Sequence, residues 1–229
     1  MNVPNLISAA RIVASPLLAA MAFVPSVPLR IVAFVLYLIT AISDHFDGKI
    51  ARRYGMITDL GKMLDPLADK LLLLATFVPM FLLQGPVGDP LLALLPTVRE
   101  ESLYPFVTWG MGAIYFPWWV LVPILAREAF MTWFRGFAQK RGAVIAAQKL
   151  GKWKAGFQFT WMGASFCWFW YSLLITQQGW WDAATPMFWA KLLGGIGLIT
   201  MYASLALTLI SLGDYLLSYR KVFFTKPSA

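Results

Sequence analysis

The sequence holds one cysteine and one histidine. Cys167 has no second thiol to pair with, so no disulfide can form within the chain. It lies among Phe166, Trp168 and Phe169, which reads as a buried core thiol rather than a reactive one. So little thiol and imidazole leaves poor material for a zinc centre, which takes Cys and His ligands. Charge is scarce too: 13% of residues are charged and 59% are hydrophobic, with a mean hydropathy of +0.67. Soluble domains carry about 25% charged residues, so this composition reads instead as a polytopic membrane protein.

A membrane helix needs about 20 apolar residues. Six such runs are expected, at about 6–26, 29–50, 61–84, 107–138, 148–176 and 186–218, all within a single domain of residues 1–229. The first run lacks the layout of a signal peptide, because Arg11 lies inside it and no small-residue cleavage site ends it, so it is kept as a span. The net charge of +8 could suggest nucleic acid, but its distribution excludes that partner. Only Arg30, Arg99 and Lys191 fall on the side of the 27–29, 85–106 and 177–186 loops, leaving 16 of the 19 Lys and Arg on the other. By the positive-inside rule, both termini face the cytoplasm, and so does the polar centre described next. Most of the eleven Trp cluster near expected span ends and read as an interfacial belt. Gly194, Gly195 and Gly197 suit close helix packing in the last span.

The remaining signal is concentrated in Asp44–Asp69, DHFDGKIARRYGMITDLGKMLDPLAD, with a long apolar run on either side. It follows the pattern D-x-x-D-G-x-x-A-R-x8-G-x-x-x-D-x-x-x-D. Ionisable groups beside membrane spans are costly and mark functional sites. Asp44, Asp47 and Ala51 share one helix face, and so do Gly61, Asp65 and Asp69. A turn near Tyr54–Thr58 would make the two helices antiparallel neighbours and bring four carboxylates together. Unpaired carboxylates about 4 Å apart repel by roughly 4 kcal/mol at an intermediate dielectric. Divalent cations remove that cost, and an all-oxygen site suits Mg²⁺ or Mn²⁺. His45, about 100° around the helix from Asp44, reads as interfacial. Gly48 and Gly61 bare the backbone for close approach of a ligand, and Arg52 offers a bidentate fork for phosphate. Together these residues describe a site for a pyrophosphate carrying a nucleotide.

The Asp44–Asp69 pattern resembles the signature of the CDP-alcohol phosphatidyltransferase family, and every fixed position of that signature is filled. The resemblance implies an all-α, polytopic membrane fold of six transmembrane helices and a homodimer in the cytoplasmic (inner) membrane. It implies an enzyme that uses two Mg²⁺ or Mn²⁺ ions held by Asp44, Asp47, Asp65 and Asp69. Asp69 would also be the general base. CDP-diacylglycerol would be held by Asn5, Gly48, Ala51, Arg52, Thr58 and Gly61. The resemblance also implies contact of Arg11 with the nucleotide, and a second reading stays open for three polar groups: Asn5 as a helix cap, Arg11 snorkelling to the interface, and Thr58 stabilising a turn.

Residues 120–160 resemble the phosphatidylglycerophosphate synthase branch of that family. The matches are Arg127-Glu128, Arg135 and Gly151-Lys152-Trp153-Lys154, with Ala155 where that branch usually has Thr. Arg127 lies deep in apolar sequence, shares a face with Arg135, and is only partly neutralised by Glu128. Lys149 and Lys152 share a face of the next span, while Lys140, Arg141 and Lys154 read as a positive-inside cluster. Arg127, Arg135, Lys149 and Lys152 would then hold the phosphate of glycerol 3-phosphate. Other acceptors in the family, among them phosphatidylglycerol, serine and inositol phosphate, remain alternatives. A divalent-cation transporter is the alternative outside the enzyme class. Against it, the chain has no repeat of the Asp-bearing helix pair and no matching pair of broken helices.

Overall fold

A computed structural model describes residues 3–53, 58–86, 88–91, 104–139, 141 and 149–219. Within a helix some side chains also lie outside the description, those of 44–53 and 149 among them. The long helices are α1 (Val3–Phe23), α2 (Val27–Arg53), α3 (Asp59–Gln84), α4 (Trp118–Gln139), α5 (Lys149–Gln178) and α6 (Ala184–Ser218). Three of them, through Asn5–Phe23, Met63–Gln84 and Ala184–Ser218, are long and apolar enough to cross a membrane. Large apolar side chains such as Val13, Val32, Ile39, Ile199 and Leu217 stand exposed on the helices, as they do where lipid is the solvent. Prolines 16, 66, 79 and 123 lie inside helices, which membrane helices tolerate because neighbouring groups satisfy the freed carbonyls.

The run expected to span 107–138 is divided. Its first part is a hairpin of β1 (Phe106–Thr108) and β2 (Gly112–Ile114), with Val107 opposite Ala113. Gly110 and Gly112 adopt φ of 75° and 66° at its turn, a region glycine enters without the penalty other residues face. Pro117 then precedes α4, so that helix begins at Trp118. The glycines of α6 take this hairpin rather than another helix. A Cβ on Gly194 would stand 2.0 Å from the Val107 carbonyl oxygen, and one on Gly197 would stand 2.4 Å from the Phe106 ring.

Helix packing follows two seams of buried residues at three- and four-residue spacing. On α6 the seam includes Ala190, Gly194, Gly197, Met201, Ser204, Thr208, Ser211 and Tyr215. Small residues there let α6 lie close against α5. On α1 the seam is Asn5, Ser8, Arg11, Ser15, Leu18 and Ala22, polar in its first half and apolar in its second. Helix α1 packs on both α2 and α3, whereas α2 and α3 make little direct contact among the described residues. Helix α1 thus lies against both, and the polar half of its seam supplies hydrogen-bonding partners to α3; the expected meeting of the α2 and α3 carboxylates falls on side chains outside the described residues. Aromatic side chains close the centre: Phe116 stacks edge-on against Trp161 at 4.7 Å and Phe81 at 5.9 Å. At the opposite end, buried Arg30 donates to the Phe169 carbonyl at 2.9 Å and lies 4.3 Å over the Tyr104 ring. That contact ties the segment before the hairpin to α2 and α5.

Candidate active site

Helix α3 begins at a capped terminus. Thr58 has extended backbone, and its hydroxyl accepts from the Gly61 amide at 3.0 Å. This satisfies one of the unpaired N–H groups of the first turn. Asn5 from α1 donates to the same hydroxyl through Nδ2 at 2.9 Å. Gly61 makes this possible, since a Cβ there would lie 2.8 Å from Asn5 Oδ1. Asn5 is thus an interior residue of α1 that fastens the start of α3, rather than a cap of its own helix.

The next contacts climb the two helices in step. Ser8 donates to Asp65 Oδ1 at 2.6 Å, and Arg11 donates through Nη2 to Asp69 Oδ1 at 2.8 Å. Arg11 is 3% exposed and does not snorkel, whereas the Asp69 side chain is 57% exposed. The arginine is held inside the bundle and the carboxylate at its rim. Asp65 and Asp69 stand one turn apart on a single face of α3, and both are exposed. Their oxygens are hard donors of the kind an Mg²⁺ or Mn²⁺ site uses, and their exposure leaves room for a hydrated ion. Among the described residues no group of three or more His, Cys, Asp or Glu converges. Asp44, Asp47, Gly48, Ala51 and Arg52 lie on the last turns of α2, and their side chains fall outside the described residues.

A cavity of about 270 Å³ opens beside Asp69. Its polar lining is Arg11, Asp69, Thr76, Glu128, Lys154 and Gln158, and its apolar wall includes Leu72, Phe159 and Met162. Two ion pairs therefore face one space, Arg11 with Asp69 from α1 and α3, and Lys154 with Glu128 from α5 and α4. Glu128 also accepts from Arg127 Nη1 at 2.9 Å, through the same oxygen, Oε1, that takes Lys154. Arg127 is 7% exposed and donates its Nη2 to Ser211 of α6 at 3.3 Å. Glu128 so joins α4 to α5, and Arg127 joins both to α6.

The four basic residues expected from the sequence are not brought together among the described side chains. Arg127 reaches the cavity only through Glu128, and Arg135 is exposed. Lys152 is exposed too, in a separate cavity with Trp153, Gly156 and Phe157. The side chain of Lys149 lies outside the described residues. Lys154, read from sequence as part of the positive-inside cluster, is the buried α5 cation in the cavity. Two residues along a helix turn through about 200°, so Lys152 and Lys154 cannot share a face. Ser8 was also missed. Its signal was the seam spacing that places it between Asn5 and Arg11.

The family model for CDP-alcohol phosphatidyltransferase matches residues 1–210. A CDP-diacylglycerol–glycerol-3-phosphate 3-phosphatidyltransferase of Rickettsia bellii is 39% identical over 99 residues, 43% of this chain and 54% of the relative. The protein of the same name from Rickettsia typhi is 33% identical over 137 residues, 60% of this chain and 73% of the relative. The second Arabidopsis thaliana protein of that name is 28% identical over 232 residues, 98% of this chain and 82% of the relative. The match thus spans about half the length of the first of these relatives and more of the other two.

Proposed function

The chain belongs to the CDP-alcohol phosphatidyltransferase family, and from that premise we propose that it transfers the phosphatidyl group of CDP-diacylglycerol to glycerol 3-phosphate. The products are phosphatidylglycerophosphate and CMP. The names of relatives that align across most of their length support this acceptor. The observation that carries the reading is the cavity beside Asp69, where a rim carboxylate faces a buried lysine across a space open to a small phosphorylated alcohol.

Asp69 takes the proton of the acceptor's primary hydroxyl, and Arg11 fixes the orientation of that carboxylate. The acceptor oxygen bonds to the phosphatidyl phosphorus. The bond from that phosphorus to the bridging oxygen breaks, and CMP leaves with the electron pair. Lys154, buried and carrying three donors, holds the acceptor's phosphate. The family is generally divalent-metal dependent. Ions held by Asp65 and Asp69, with Asp44 and Asp47 of α2, would neutralise pyrophosphate charge and stabilise the departing CMP. Mg²⁺ or Mn²⁺, two ions to a site, suit this all-carboxylate set. Ser8 and the Asn5–Thr58 contact hold α3 in register for that task.

The same reading makes the protein a six-span homodimer of the inner membrane, with the site and both termini in the cytoplasm. The skew of 16 of the 19 basic residues to one side supports that orientation. The test is CMP release from labelled CDP-diacylglycerol by purified protein in detergent, run against a panel of acceptors. Glycerol 3-phosphate should be preferred over serine, inositol phosphate and phosphatidylglycerol. No CMP release with any alcohol would refute the transferase reading.

A further inference from the structure

We propose that Glu128 binds the non-reacting secondary hydroxyl of the acceptor and thereby sets the preference among phosphorylated alcohols. The inference rests on the acceptor reading above. Both cations on Glu128 use one oxygen, since Arg127 and Lys154 each donate to Oε1. The other oxygen, Oε2, has no hydrogen-bond partner among the described residues. The Glu128 side chain keeps 32% exposure while its partners keep 7% and 5%, and Glu128 lines the cavity. A carboxylate pinned through one oxygen thus presents the other as an acceptor at a defined place.

The chemistry of the acceptor selects what can occupy it. An ionised carboxylate only accepts hydrogen bonds, so the incoming group must be a donor. Phosphate is excluded, because it carries close to two negative charges. The primary hydroxyl is committed to Asp69. The secondary hydroxyl remains, and on glycerol 3-phosphate it sits on the carbon next to the one that bears the phosphate. The cavity repeats that adjacency, with Lys154 for the phosphate ion-paired to Glu128 for the hydroxyl. Held at both points, the acceptor has little freedom to rotate its reacting oxygen away from Asp69.

The test compares glycerol 3-phosphate with 3-hydroxypropyl phosphate, which keeps the phosphate and the primary hydroxyl and lacks the secondary one. Full-length protein in detergent is assayed with labelled CDP-diacylglycerol and Mg²⁺. Wild type should favour glycerol 3-phosphate in kcat/KM by about tenfold or more, since sites built to bind a hydroxyl discriminate against analogues without it. Glu128→Gln keeps the shape and weakens the acceptor. It should narrow that ratio at least about threefold, because kcat/KM for glycerol 3-phosphate falls further than that for the analogue; a loss shared by both acceptors reports the Lys154 contact, and the KM for CDP-diacylglycerol should stay almost unchanged. Glu128→Asp, which withdraws the carboxylate by one methylene, carries the same comparison should the Gln variant fail to fold. Equal use of the two acceptors by wild type would overturn the proposal. So would an equal loss on both in the variants, which is the mark of a structural tie only. If wild type turns over neither phosphate but does use an uncharged acceptor, the glycerol-phosphate reading itself fails, an outcome distinct from the other two.

Discussion

Replacing Lys154 with methionine removes a buried ammonium from the wall of the cavity beside Asp69 and leaves most of the side-chain volume in place. Lys154 is about 5% exposed, so little bulk solvent screens its contact with an incoming phosphate. Hydrogen bonds to charged groups contribute about 1.5–3 kcal/mol each, and 1.4 kcal/mol is tenfold. The KM for glycerol 3-phosphate should therefore rise roughly ten- to a hundredfold. The fold should persist, because Glu128 keeps the Arg127 contact at 2.9 Å and is not stranded. The KM for CDP-diacylglycerol should stay within about twofold, since the site proposed for its pyrophosphate is the Asp44–Asp69 carboxylate set and not Lys154. Lys152→Met is the matched control. Lys152 is two residues away, exposed, and directed to a different cavity, so its loss should change neither constant by more than about twofold. The assay is steady-state CMP release with each substrate varied in turn. If Lys152→Met raised the glycerol 3-phosphate KM and Lys154→Met did not, the assignment of the cavity to the acceptor would be refuted.

Asp65→Asn should abolish turnover at ordinary Mg²⁺ while the protein still inserts and purifies, and near-wild-type rates would refute its place as a metal ligand. Asp69→Asn should lower kcat far more than it weakens binding of CDP-diacylglycerol, as loss of a base does; an equal loss of metal affinity would make Asp69 chiefly a ligand. Arg127→Ala should lower the melting temperature in detergent, because it breaks the contacts to Glu128 and Ser211, and should raise the glycerol 3-phosphate KM less than Lys154→Met does. Gly194→Ala would set a methyl 2.0 Å from the Val107 carbonyl oxygen, and overpacking of this kind costs about 1–3 kcal/mol. A clear fall in melting temperature with kcat preserved is expected, and an unchanged melting temperature would show that the hairpin does not rest on α6.

What the sequence by itself determined is the part written in local periodicity. Asp65 and Asp69 stand on one face of α3 because a helix repeats every 3.6 residues, and no tertiary contact was needed to know it. Thr58 could likewise be placed at a turn, and the apolar runs behind α1, α3 and α6 announce themselves by length. The tertiary structure decided how whole helices are rotated and which neighbours they meet. Helix α5 is apolar and aromatic on every side beyond its first turns, so its pattern gave no means to choose Lys154 over Lys152 as the inward cation; contact with α2, α3 and α6 made that choice. The hairpin at 106–114 overlaps the start of the apolar run expected as a span over 107–138, and only its docking on Gly194 and Gly197 shows what those residues do instead. Arg11 looked free to reach the interface until α3 came alongside with Asp69. The reason is common to these cases. Near-neighbour spacing fixes which residues share a helix face, but the direction of that face depends on partners far away in the chain.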